Sequence, residues 1–131
     1  MQHWRWWAPL LLVGLGACSQ GPELPQVSLD QARADHEAGR VVLIDIREPK
    51  EHATGVAAGA QLLPMSQLGQ RLAEIPRSPD KPVYLICNTQ NRSKATLGPL
   101  MEQGYAHVRY VQGGMSEWAR RGWPVVPPSA R

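Results

Sequence analysis

Short apolar runs recur along this chain, each followed by a polar segment with helical spacing. Val41 to Ile46 (VVLIDI) is rich in β-branched residues and reads as a strand buried on both faces of a parallel sheet. Val83 to Ile86 (VYLI) repeats that signal, and Val108 to Val111 (VRYV) gives a third strand. Gln61 to Leu63 adds a short one. Between them, Ser28 is suited to cap a helix over Leu29 to Ala38, which Gly39 ends. A helical turn is predicted over Glu48 to Thr54, with Pro49 near its first turn. Ser66 to Ile75 is amphipathic, with Leu68, Leu72 and Ile75 on one side and Pro76 closing it. A helix from near Ser93 to Gln103 ends at Gly104, and Gly98-Pro99 is expected to kink or weaken it. Gly113-Gly114 form a turn before a last helix over Met115 to Arg121, with Trp118 facing inward. Strands alternating with helices predict an α/β fold: a small parallel sheet flanked by helices on both faces.

Length and composition fit one such domain. The 131 residues are 43% hydrophobic and 19% charged, enough to bury a core, and with no Phe that core must be built from Leu, Val, Ile and Trp. The net charge of +3 is dispersed, with no Lys/Arg run to track a phosphate backbone, so no nucleic-acid partner is expected. His3, His36, His52 and His107 lack metal-ligand spacing, and no metal or cofactor is predicted.

The N-terminus differs from the rest. After Arg5, residues Trp6 to Ala17 carry no charge, an apolar stretch of about 12 residues, short of the roughly 20 needed to span a bilayer but suited to an export signal. Leu15-Gly16-Ala17-Cys18 resembles the lipobox of bacterial lipoproteins. That resemblance implies cleavage before Cys18, a lipid on its sulfur and a membrane-anchored protein facing the periplasm. Ser19 in place of Asp tilts the expected sorting toward the outer membrane. An ordinary cleaved signal with an incidental cysteine is the plainer alternative. The expected organisation is a signal peptide over 1–17, a linker over 18–27 that includes the Pro-rich Gly21 to Gln26, and a domain over 28–127.

If Cys18 carries lipid, Cys87 has no partner for a disulfide. Cys87 stands at the C-terminal end of a buried strand, where parallel sheets collect ligands, and opens a loop leading into a helix. Loop amides and the free N–H groups of a helix start make an anion cradle there. From Lys81 to Met101 there is no acidic residue, whereas Lys81, Arg92 and Lys94 are basic. Both features are expected to favour a thiolate, activating a nucleophile without a histidine base.

Three blocks resemble the rhodanese family. Cys87-Asn88-Thr89-Gln90-Asn91-Arg92-Ser93 is similar to its active-site loop, C-x-x-G-x-R-S. Asp45-Ile46-Arg47-Glu48 with Glu51 and Gly59-Ala60 is similar to its D-x-R-x-x-x-E and downstream G-A segment. Gly113-Gly114 through Trp118, Gly122 and Pro124-Val125 is similar to its G-G-x-x-x-W-x-x-x-G-x-P-V block. The resemblance covers about residues 28 to 127 and implies a sulfurtransferase. Cys87 would take sulfur from thiosulfate or a persulfide donor, hold it as a persulfide and pass it to a thiol or cyanide. The amides of Asn88, Thr89, Gln90, Asn91 and Arg92 would hold the negative sulfur, with Ser93 also among the substrate-binding residues. Arg92 would bind an anionic donor, and Asp45 and Arg47 would brace the loop from the neighbouring strand end.

Two points qualify that resemblance. Gln90 stands where the family often has Gly; if φ is positive there, Gln is strained and constricts the pocket. The spacing from Cys87 to Arg92 is C-x4-R, one residue shorter than the C-x5-R of cysteine phosphatases, and a smaller ring suits one sulfur atom better than a phosphate. Plainer readings are an inert buried Cys87, a surface Arg92 and a purely structural Asp45–Arg47 pair. A low-turnover sulfur carrier or protein-binding module is the functional alternative. The oligomeric state is not legible.

Overall fold

The computed structural model describes residues 23–129; Cys18 and the export and lipid signals read around it lie outside the described residues. Among the described residues the fold is a five-stranded, all-parallel sheet in the order β1-β5-β4-β2-β3, as expected for an α/β domain. Its strands are β1 (Gln26–Val27), β2 (Val42–Asp45), β3 (Gln61–Leu62), β4 (Val83–Ile86) and β5 (Val108–Val111). The helices are α1 (Leu29–Glu37), α2 (Pro49–His52), α3 (Asn91–Glu102) and α4 (Gly114–Arg120).

Every residue of β4 is buried between β2 and β5, which explains its uninterrupted apolar sequence. Strand alternation sorts its side chains. Val83, Leu85 and Cys87 join Ile44, Leu97, Leu100 and Tyr105 in one core, under α3. Tyr84 and Ile86 join Leu29, Ala32, Leu43, Met115 and Trp118 in the other, under α1 and α4. Cys87 is therefore delivered to the α3 face by the same period-two rule that builds the core.

Several elements differ from expectation. Ser66 to Ile75 is not an α-helix but two 3-10 turns, Met65–Gln70 and Leu72–Glu74. Arg71 leaves helical geometry between them (φ −119°, ψ 20°), yet Leu68, Leu72 and Ile75 still pack on the α3-side core. Gln26 and Val27 pair with Tyr110 and Val111, so the end of the segment read as a linker is the edge strand of the sheet. Helix α3 runs through Gly98-Pro99 to Glu102, beginning at Asn91 rather than near Ser93. No helix among the described residues is long and apolar enough to cross a membrane.

Asp35 fastens α1 to the sheet. This buried carboxylate accepts the Tyr84 hydroxyl at 2.7 Å, Gln31 Nε2 at 2.9 Å and Arg40 Nε at 3.1 Å. Those donors, Tyr84 first, hold its carboxyl below the usual carboxylate range, while burial pushes the Tyr84 phenol up to about 12. Tyr84→Phe is expected to lower unfolding free energy by about 1.5–3 kcal/mol, the usual contribution of a hydrogen bond to a charged group, read as a lower urea midpoint at unchanged slope.

Candidate active site

The loop after β4 is held by the start of α4. Met115 N–H donates to the Cys87 carbonyl and Ser116 N–H to the Asn88 carbonyl, each at 2.8 Å. Because a trans peptide points its C=O and N–H in opposite directions, these bonds turn the amides of Asn88 and Thr89 away from α4. The approach is close enough to require glycine. A Cβ on Gly114 would stand 2.0 Å from the Thr89 carbonyl oxygen and 2.5 Å from that of Cys87, and Gly114 has φ +63°.

Cys87 is 1% exposed, and its sulfur sits at the head of α3. Ser93 N–H, a first-turn amide with no intrahelical acceptor, points at Sγ at 3.4 Å. The Ser93 hydroxyl also lies 3.4 Å from Sγ and donates to the Gln90 carbonyl at 3.1 Å. Gln90, the residue before α3, offers no side-chain cap to the helix, so the sulfur takes a place that a capping oxygen often fills. The partial positive charge of the helix start favours an anion at that point.

Gln90 is not strained. Its φ is −147°, no non-glycine residue described has positive φ, and its side chain turns outward to accept Gly113 N–H at 3.2 Å. The substitution for the family's Gly therefore adds a tie between the loop and the turn before α4. Asn88, Thr89 and Asn91 are exposed, and Ser93 is buried.

The electrostatics depart further from expectation. Arg92 is not a free cation: Nη1 donates to Glu51 Oε2 at 2.7 Å and Nη2 to Glu51 Oε1 at 2.5 Å. This bidentate pair holds the Glu51 carboxyl at about 2, with the Arg92 hydrogen bonds as the largest cause, and Glu51 raises Arg92 in return. The acid-free stretch from Lys81 to Met101 is thus supplied with an acid from α2. Lys81 precedes β4 and Cys87 follows it, so the length of that strand, roughly 13 Å, separates the two. Lys81 contributes little at the loop; Lys94 is an exposed residue of the first turns of α3.

Asp45 and Arg47 form a buried pair, with Arg47 Nη2 2.7 Å from Asp45 Oδ2. Arg47 also donates to the carbonyls of Glu51 (3.3 Å) and Gly55 (2.8 Å), and His52 Nε2 lies 3.2 Å from the Asp45 carbonyl. The pair braces α2, and only through Glu51 does that reach Arg92. Glu51 and Gly114 are the site residues that sequence reasoning left without a role, although both lie within the quoted family blocks. Among the described residues no group of three or more His, Cys, Asp or Glu is arranged to hold a metal.

A parallel α/β sheet with a cysteine loop held between two helix starts defines a class of protein, and comparison places the chain within it. The family model described as the rhodanese-like domain matches residues 28–121. A sulfurtransferase of Allochromatium vinosum is 42% identical over 106 residues, covering 81% of this chain and 95% of the relative. The fold is similar to a rhodanese-related protein of Thermoplasma volcanium (TM-score 0.68, 27% identity, 79% of this chain and 99% of the other). It is also similar to a human single-domain sulfurtransferase (TM-score 0.65, 28% identity, 74% and 96%). The chain belongs to the rhodanese-like sulfurtransferase family.

Gly114→Ala is expected to be among the most damaging single-atom changes, because the intruding methyl meets backbone carbonyls that cannot move without releasing Cys87. Loss of at least about 3 kcal/mol of stability, or failure to fold, should follow, whereas Gly39→Ala, with open space around its Cβ and only its positive φ to strain, should lose about 1 kcal/mol; thermal melts of the two variants check this.

Proposed function

We propose that the protein is a sulfurtransferase whose Cys87 cycles between thiolate and persulfide. The observation that carries this is the sulfur at the head of α3, aligned with a buried helix-start amide inside a C-x4-R loop whose carbonyls are tied back to α4. In the first step the Cys87 thiolate attacks the outer sulfur of a donor such as thiosulfate. A new S–S bond forms, the donor's S–S bond breaks, and sulfite leaves with the electron pair. In the second step an acceptor thiolate or cyanide attacks the outer sulfur of the persulfide, and Cys87 departs as thiolate. The sulfur atom changes carrier, and no external oxidant or reductant is needed.

The loop's geometry supports a one-atom cargo. The persulfide's outer sulfur carries the negative charge, and the amides of Asn88 and Thr89, turned away from α4, are free to receive it. A second reading rests on the burial of Cys87: a low-turnover rhodanese-like sulfur carrier or binding module whose thiol is reached only when a partner docks.

Incubation with thiosulfate should add about 32 Da to Cys87, the mass of one sulfur atom, and Cys87→Ser should abolish both this adduct and transfer to cyanide. A loaded cysteine without turnover above the Cys87→Ser background would favour the carrier; no adduct with any sulfane donor would sink both readings.

The N-terminal signals support a location for this chemistry. We infer that the protein is exported and lipid-anchored through Cys18, facing the periplasm, with the outer membrane favoured by Ser19. Cys18→Ser should shift the protein from the membrane pellet to the soluble fraction, and unchanged retention in the pellet would refute the anchor.

A further inference from the structure

The bond between Glu51 and Arg92 joins elements 41 residues apart in sequence, and it is built rather than incidental. Glu51 Oε2 also accepts the Glu48 N–H at 2.8 Å. The Glu51 carbonyl receives Arg47 Nη1 at 3.3 Å and the Thr54 hydroxyl at 2.6 Å, and Arg47 is itself locked to the buried Asp45. The carboxylate is therefore delivered to the loop by a buried framework. Both side chains of the pair are 33% exposed, so the pair lies partly open to solvent beside the loop that carries Cys87.

Arg92 is the only arginine in the loop from Cys87 to Ser93. With its fork engaged end-on by a carboxylate, its charge is balanced, while its remaining N–H bonds can still be donated. Glu48, the residue that caps α2, lies near enough to act on Arg92 as well, adding a second negative charge. A doubly charged anion therefore gains little from this pair in electrostatic attraction. An uncharged donor loses nothing, since its binding rests on contacts and hydrogen bonds, and a singly charged one loses about half as much as a dianion.

We propose that Glu51 is a specificity-determining residue that sets the charge class of the sulfur donor, favouring organic hydropersulfides over inorganic dianions such as thiosulfate. This rests on the persulfide reading of Cys87 and names the substrate class for it. With a hydropersulfide, the Cys87 thiolate attacks the outer sulfur of R–S–SH, the S–S bond joining that sulfur to R–S breaks, and R–S⁻ leaves and takes up the proton released by the transferred sulfur, so that Cys87 is left as the anionic persulfide. Glu51 acts through the local potential and through Arg92, not on the reacting sulfur.

The test has two arms. In the first, thiosulfate is titrated calorimetrically at low salt into Cys87→Ser and into Cys87→Ser combined with Glu51→Gln, which keeps an oxygen to accept the Glu48 N–H. Removal of the charge should tighten binding at least about fivefold, and the gain should fade as salt is raised. In the second, kcat/KM is measured for thiosulfate and for 2-hydroxyethyl persulfide, whose only ionisable group is the persulfide. Glu51→Gln should raise the thiosulfate value by a similar factor and change the persulfide value by less than about twofold. Glu51→Ala, as a second variant, should move the ratio of the two donors the same way. Unchanged thiosulfate binding, or equal losses with both donors, would overturn the assignment and leave Glu51 a purely structural tie. If neither donor loads wild-type Cys87, the persulfide reading fails instead, and the binding arm still decides whether Glu51 sets charge preference.

Discussion

Two backbone hydrogen bonds, from Met115 and Ser116 to the carbonyls of Cys87 and Asn88, set which way the first two peptides of the cysteine loop face. A loop of four residues between a strand and a helix can turn its peptides either way. Carbonyls facing the sulfur would repel a thiolate; amides facing it attract one. The start of α4 decides this by supplying N–H donors on the outer side, and the absence of a side chain at Gly114 lets the two segments approach that closely. The Gly-Gly turn is thus part of the cysteine's environment, although it lies more than twenty residues away in sequence.

The second constraint is the pleat of β4. Alternation sends Val83, Leu85 and Cys87 into the same core as α3, so the nucleophile is packed by the forces that stabilise the sheet. Its near-complete burial keeps bulk water from the thiol and restricts which reagents reach it. Such a site suits an atom-sized cargo carried on a small donor or presented by a partner. Burial also strengthens the hydrogen bond from Ser93 N–H to the sulfur, because fewer water dipoles compete with it.

The sheet, its parallel sense and the position of Cys87 were legible because they rest on local signals: β-branched runs, glycine stops and a polar loop after a buried strand. The short edge strand at Gln26–Val27 was not, since two residues after a Pro-rich segment carry no periodicity and the pairing with Tyr110 and Val111 is a tertiary event. Ser66 to Ile75 showed its apolar stripe but not its 3-10 geometry, because i, i+3, i+4 spacing serves both forms over so few residues. Gln90 would be strained only if its φ were positive, and the loop gives it a negative φ and uses its side chain as an outward acceptor. That outcome depends on where Gly113 lies, which no window around residue 90 contains.

Charge was the least legible property of all. Counting signs between Lys81 and Met101 suggested a positive loop, but potential is set by distance in space. Lys81 drops out because β4 carries it to the opposite end of the sheet, and Glu51 enters because α2 packs beside the loop. Family blocks that look like separate signatures are mechanically one: Asp45 holds Arg47, Arg47 holds the backbone of α2, and Glu51 holds Arg92. Electrostatic attraction by Arg92 and electrostatic compensation by Glu51 therefore cannot be varied independently by small shifts of the loop. The helix-start amide of Ser93, which carries no net charge to be cancelled, is left as the steadier source of anion stabilisation at the sulfur.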